Sequence, residues 1–162
     1  MAQLEIRDVG YRHPDADRLV AEVQAEYVVR YGGPDDSHIE ADQFEPPGGR
    51  FAVGYCDDEP VVIGGWRRIP AGEPATGWAD PAAELKRMYV VERMRGAGFA
   101  RAMLAYLERS AAEHGIGWLL LETGLKQPEA LALYQSCGYA EVPPFGYYAG
   151  RSTARHLGKR LG

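Results

Sequence analysis

Cysteine is scarce: only Cys56 and Cys137 occur in 162 residues, and their spacing matches neither a disulfide framework nor a zinc motif. Both read as buried thiols. Positive charge is short as well, with 18 Lys and Arg against 23 Asp and Glu and a formal net charge of −5, which argues against a general nucleic-acid binder. Long apolar runs are missing: none approaches the roughly 20 residues of a membrane span. The start, Met1-Ala2-Gln3-Leu4-Glu5-Ile6-Arg7, lacks the basic and apolar blocks of a signal peptide. A cytoplasmic location without membrane association is therefore expected. His13, His38, His114 and His156 are scattered without ligand spacing. Walker A, His-Glu-x-x-His and Cys-x-x-Cys motifs are absent, so no metal site is expected.

What is present is the composition of a soluble globular protein, 46% hydrophobic and 25% charged, at a length that suits one compact domain over residues 1–162. Leu4 to Val9 alternates apolar and polar residues and reads as a strand. Pro14, Asp15 and Asp17 suit a helix start, and Ala16, Leu19, Val23, Tyr27 and Tyr31 recur at helical spacing until Gly32-Gly33 stops the pattern. Ser37-His38-Ile39-Glu40 has capping-box form, which predicts a short second helix reaching Phe44 before Pro46-Pro47-Gly48-Gly49. Arg50 to Cys56 and Pro60 to Ile69 read as an antiparallel hairpin around Asp57-Asp58-Glu59. A Gly- and Pro-rich loop, Pro70 to Pro81, leads to a strand from Glu84 to Val91. The acidic stretch from Asp35 to Glu45 has two readings, a solvated loop or a lip that attracts cationic amines.

Arg93-Met94-Arg95-Gly96-Ala97-Gly98 follows that strand and opens a helix to about His114, with Ala100, Met103, Leu104, Leu107 and Ala111 on one face. Two glycines where a loop meets a helix start let backbone N–H groups converge on an anion, with the helix dipole adding to the attraction. This is a phosphate cradle. Trp118 to Thr123 is nearly continuously apolar, as in a strand covered on both faces, so a right-handed strand–helix–strand crossover is expected. Pro128 then opens a last helix to about Cys137, ended by Gly138, and short strands are expected near Tyr139 to Val142 and Ser152 to Lys159.

Arg93, Gly96 and Gly98 occupy the three fixed positions of Gln/Arg-x-x-Gly-x-Gly/Ala, the acyl-coenzyme A signature of the GNAT N-acetyltransferases. About 30 residues on, Gln127-x-x-Ala130-x-x-Leu133-Tyr134-x-x-x-Gly138-Tyr139 resembles a second motif of that family, with Gln127 where an Asn is usual. The resemblance implies an α/β (α+β) GNAT acyl-CoA N-acyltransferase fold. Its sheet would be mixed, mostly antiparallel and six- to seven-stranded, flanked by about four helices and splayed between the fourth and fifth strands. It also implies acetyl-CoA as cosubstrate, with no metal. Met88, Val90, Arg93, Arg95, Gly96, Ala97, Gly98, Ala100, Gln127 and Tyr134 would bind it.

Acetyl transfer needs a neutral amine, and holding a group of pKa about 10.4 unprotonated at pH 7 costs about 4.6 kcal/mol. A carboxylate base is the natural device. Glu84 stands where several family members carry one, and period two would set Glu84, Lys86, Met88 and Val90 on one face. Glu122 is the runner-up. Tyr134 matches the family's Tyr, which implies that it protonates the departing thiolate. Cys137 offers a much weaker covalent alternative. Direct attack in a ternary complex, on a small-molecule amine, is the favoured reading. A protein N-terminal or lysine acetyltransferase and a non-catalytic acyl-CoA sensor stay open. The resemblance also allows a homodimer through Ser152 to Lys159. A Rossmann dinucleotide site is disfavoured because Arg101 replaces its third glycine.

Overall fold

A computed structural model of the chain describes residues 3–35, 39–70, 81–124, 126–145, 149–152 and 154–162. The elements run β1 (Leu4–Val9), α1 (Pro14–Tyr31), a 3-10 turn over Ala41–Phe44, β2 (Gly49–Cys56), β3 (Glu59–Arg68) and β4 (Ala82–Val90). A second 3-10 turn over Glu92–Met94, α2 (Phe99–Glu113), β5 (Trp118–Gly124), α3 (Pro128–Ser136), β6 (Ala140–Glu141) and β7 (Ala154–Arg160) follow. The strands form one seven-stranded sheet in the order β1-β2-β3-β4-β5-β7-β6. Only β4 and β5 are parallel neighbours. This is the mixed, mostly antiparallel sheet that the resemblance implies. The C-terminal strand β7 lies between β5 and β6 rather than at an edge.

Local chemistry sets most boundaries. Asp57 and Asp58 both take positive φ, 51° and 64°, which a two-residue hairpin turn requires, and Cys56 pairs directly with Glu59. Gly32 closes α1 in the left-handed conformation, its N–H donating to the Val28 carbonyl. Three α-helices flank the sheet among the described residues, where about four were expected. The short second helix reduces to the 3-10 turn, whose cap is Glu40 with Gln43 rather than a box built on Ser37. Ser37 and His38 lie outside the described residues.

One face of the sheet is covered by α1 and the 3-10 turn: Phe51 meets Phe44, and Tyr55 Oη donates to Asp15 Oδ2 of α1 (2.6 Å). The other carries α2, where the fully buried Trp66 donates from Nε1 to Ser110 Oγ at 3.0 Å. Burying an aromatic or large aliphatic side chain contributes about 1.5–3 kcal/mol, so these two layers anchor the central strands.

Two irregularities open the sheet. First, β4 and β5 pair only through Ala82↔Trp118, Ala83↔Leu119 and Glu84↔Leu120, then part. Second, the β3–β4 register jumps from Gly65↔Lys86 to Ile63↔Tyr89, so Arg87 and Met88 together oppose Gly64. Arg87 has φ 60°, a left-handed conformation rare for a side-chain-bearing residue. This is a β-bulge, which leaves backbone groups out of the ladder and re-aims side chains. Met88 therefore shares a face with Gly64, where a Cβ would sit 2.6 Å from Met88 Sδ and 2.8 Å from Leu107 Cδ1. Glu84 points the opposite way, to Arg67. The expected common face for Glu84, Lys86, Met88 and Val90 is thereby broken.

Candidate active site

The splay and the bulge create two adjoining cavities. One, of about 410 Å³, is walled by α1, the end of β4, the start of α2 and α3. Met88, Val90, Arg95, Gly96, Gly98 and Ala100 contribute to it. Gly96 and Gly98 have φ 84° and 83°, and a Cβ on either would project into open space with no atom within 4 Å. The cradle is therefore open to an approaching group. Among the described residues no hydrogen bond reaches the amides of 96–101, no side chain caps α2, and its first turn carries no acid. Such a helix start attracts anions.

Arg95 reinforces that end: Nε donates to the Val90 carbonyl (3.1 Å), Nη2 to Glu26 Oε1 (2.9 Å), and the guanidinium lies 5.6 Å from the Tyr89 ring centre. Arg101, on the same rim, donates to Ser136 Oγ (3.0 Å) and Cys137 Sγ (3.2 Å), fixing α2 against α3. The Arg93 guanidinium instead pairs with Glu59 (3.1 Å) and lines neither cavity. Ala97 lines neither as well.

The second cavity, of about 400 Å³, sits in the β4–β5 gap beneath the C-terminal end of α1. Tyr27, Met88, Gln127, Ala130 and Tyr134 line both cavities, so these residues form the partition between them. Tyr134 is 7% exposed, with its ring 5.8 Å from Tyr139. Its hydroxyl makes no hydrogen bond to the described residues, and burial pushes its pKa well above the ordinary phenol value. It stays a proton donor through the neutral and mildly alkaline range. Gln127 precedes α3, accepts weakly from Thr123 Oγ1 (3.5 Å), and occupies the same junction.

The two candidate carboxylates differ in surroundings. Glu84 Oε1 accepts from Arg67 Nε (3.2 Å) and Nη2 (2.9 Å), while Arg67 Nη1 donates to Gln43 Oε1 (2.7 Å). This chain ties the 3-10 turn to β3 and β4, and Glu84 lines neither cavity. Glu122 lines the second cavity from β5. Burial, and then the negative charge of Glu84, push its pKa up to about 8. His156 Nε2 lies 3.6 Å from Glu122 Oε2, and burial lowers the imidazole pKa, so the pair is not an ion pair.

Two described acids of the acidic stretch are paired. Asp35 Oδ2 accepts from both Lys86 Nζ (3.1 Å) and Arg87 Nη1 (2.9 Å), and Asp42 pairs with Arg12 (3.2 Å). Asp36 of this stretch lies outside the described residues. Of the aromatics considered for this region, Tyr27 and Tyr31 line the second cavity, whereas Phe44 and Phe145 are buried in the packing. Tyr147 and Tyr148 lie outside the described residues. Cys137 lines neither cavity. Sequence reasoning missed Arg87 as a wall residue, because only the bulge and the long-range bond to Asp35 turn it there.

Known proteins with the same architecture fit this geometry. The family model described as "Acetyltransferase (GNAT) family" matches residues 16–139. An uncharacterized N-acetyltransferase of Escherichia coli, YjgM, is 29% identical over 147 residues, 88% of this chain and 82% of that protein. An "IAA acetyltransferase" of Azospirillum brasilense is 43% identical over 65 residues, 40% of this chain; the match spans only 42% of that protein. Among solved structures, a Klebsiella pneumoniae protein provisionally assigned as an acyl-CoA N-acyltransferase superposes with TM-score 0.78 at 23% identity, covering 99% of each chain. The PaiA N-acetyltransferase of Thermoplasma acidophilum, solved with coenzyme A, gives TM-score 0.71 at 13% identity, covering 98% of this chain and 99% of that one. These two show the shared fold. With the family model spanning both glycine loop and α3, the chain belongs to the GNAT acetyltransferase family.

Proposed function

We propose that this chain moves an acetyl group from acetyl-CoA to the primary amine of a small molecule, by direct attack within a ternary complex. The observation that carries the reading is the pair of cavities meeting at Met88, Gln127 and Tyr134, one with an anion-attracting helix start and one with a buried carboxyl of raised pKa. When bound, acetyl-CoA supplies the activated thioester. The residues present fit it: open glycines at 96 and 98 and uncommitted amides suit a diphosphate, with Arg95 and Ala100 alongside. Met88, freed from the ladder by the bulge, and Val90 suit the acyl arm. For Arg93 and Ala97 only the backbone is proposed to contribute, since neither lines the cavity.

Glu122 takes the amine proton in this reading, in preference to Glu84. A base is most effective when its pKa lies near the working pH, and Glu122 at about 8 meets that condition while facing the cavity. Glu84 acts through it, by holding that pKa high. Tyr134 donates a proton to the departing sulfur, since its hydroxyl is uncommitted and sits at the junction. A cytoplasmic location and a homodimer are part of this proposal; no helix among the described residues is long and apolar enough to cross a membrane.

The test is free-thiol release from acetyl-CoA across a panel of primary amines. Amine-dependent release that rises with pH toward about 8 is expected. Tight acetyl-CoA binding without amine-dependent release would instead make the chain a sensor.

A further inference from the structure

Four buried side-chain atoms lack a hydrogen-bond partner among the described residues: Tyr31 Oη, Arg87 Nε, Glu122 Oε2 and His156 Nε2. Unpaired buried polar groups are costly and rare, so their location is informative. Tyr31, Arg87 and Glu122 all line the second cavity, and His156 Nε2 lies 3.6 Å behind Glu122 Oε2. The orphans are thus gathered at one place.

They are also of two chemical kinds. Tyr31 Oη–H and Arg87 Nε–H are donors in want of an acceptor, whereas the Glu122 carboxyl becomes an acceptor for an amine once its proton has left. Among the described residues, Arg87 and Lys126 bring cationic side chains to this wall. Asp35 Oδ2 accepts from Arg87 Nη1, which leaves the Arg87 Nε edge of the guanidinium without a partner among the described residues. The Arg87 side chain is only 5% exposed, and its one hydrogen bond among the described residues runs from Nη1 to Asp35. Lys126 Nζ stands 5.7 Å from the Tyr31 ring centre at the same wall. A guanidinium presents a planar fork that matches a carboxylate.

We propose that the acceptor carries a carboxylate beside its amine, as an amino acid or close analogue does. Its amine meets Glu122 and Tyr134, and its carboxylate meets Arg87, with Tyr31 and Lys126 assisting. This rests on the transferase reading for the amine's fate, but the carboxylate preference is a property of the cavity. A cavity of about 400 Å³ lies within the range of small-molecule sites.

The experiment compares the proteinogenic amino acids with their amides and their decarboxylated amines, by thiol release and by calorimetric binding to CoA-loaded protein. The best amino acid is expected to exceed its amide and its amine at least tenfold in kcat/KM and in affinity. In Arg87→Gln that ratio should collapse to below about threefold through KM, with a partial fall in Lys126→Gln, which keeps the test alive if the bulge variant does not fold. Amides or simple amines that do as well as the amino acids, or an unchanged ratio in folded Arg87→Gln, overturn the inference and leave the transferase reading standing. Carboxylate-selective binding without any thiol release supports the cavity assignment and contradicts the transferase reading. Absence of both binding and turnover for every amino acid overturns the inference.

Discussion

Glu122 and Glu84 are paired in space, and the pairing assigns different work to each. Folding lifts the Glu122 pKa from the ordinary 4.5 to about 8. Between those values the native chain holds a proton that the unfolded chain has lost, so this group's contribution to stability falls as pH rises through that window. Glu122→Gln never ionises and avoids the loss. It should melt above wild type at about pH 9, by roughly 3 °C or more, with the gap closing near about pH 4. The same variant should lose about 10²-fold in turnover and the rise toward pH 8. Glu84→Gln should instead keep most of its turnover while its pH midpoint moves down, because the charge that raises Glu122 is gone. It should also lose roughly 1–3 kcal/mol of stability, since the ion pair with Arg67 is lost. Swapped phenotypes in the two pH profiles would return the base role to Glu84. Tyr134→Phe should lower kcat about tenfold or more with little change in melting temperature, because its hydroxyl holds no structural bond. A fully active Tyr134→Phe removes it from the chemistry. The pairing partners Arg67, Asp35 and His156 could not be read from the chain, since each contact joins segments that only the fold brings together.

At the scale of elements, the glycine loop and α3 were legible because their chemistry is local. Gly96 and Gly98 adopt the positive φ that a loop entering a helix needs, and Pro128 opens α3 as its position predicts. Replacing Gly98 by Trp adds a side chain in a conformation that L residues rarely adopt and fills the cradle's open space. Calorimetry should show acetyl-CoA affinity abolished, with the fold retained by circular dichroism; unchanged affinity would refute the cradle. The bulge in β4 was illegible for the opposite reason. Period two assumes an unbroken ladder, and the extra residue at Arg87–Met88 exists only against Gly64 of β3. That single irregularity sends Met88 toward α2 and Arg87 toward Asp35. Gly64→Ala would place a Cβ against Met88 and Leu107 in a filled interior, and should cost about 1–3 kcal/mol in a denaturant titration.

For the whole molecule, function follows from where the sheet fails to close. Pairing of β4 with β5 stops at Glu84↔Leu120, and the gap beyond it holds one cavity while the α2 start and α3 wall off its neighbour. The order of strands and the crossover through α2 follow from local patterns, whereas the long-range partners of Asp35 do not. Acidic residues from Asp35 onward suggested an anionic mouth, yet Asp35 itself is engaged by Lys86 and Arg87 of β4. The central claim is that one cleft delivers a thioester to the partition that the other cleft faces. A crystal structure with bound CoA tests it directly. The account predicts the diphosphate on the amides of 96–100 and the sulfur within hydrogen-bond reach of Tyr134 Oη, about 3–3.5 Å. A CoA tail lying outside the β4–β5 gap, or a sulfur remote from Tyr134, would contradict it.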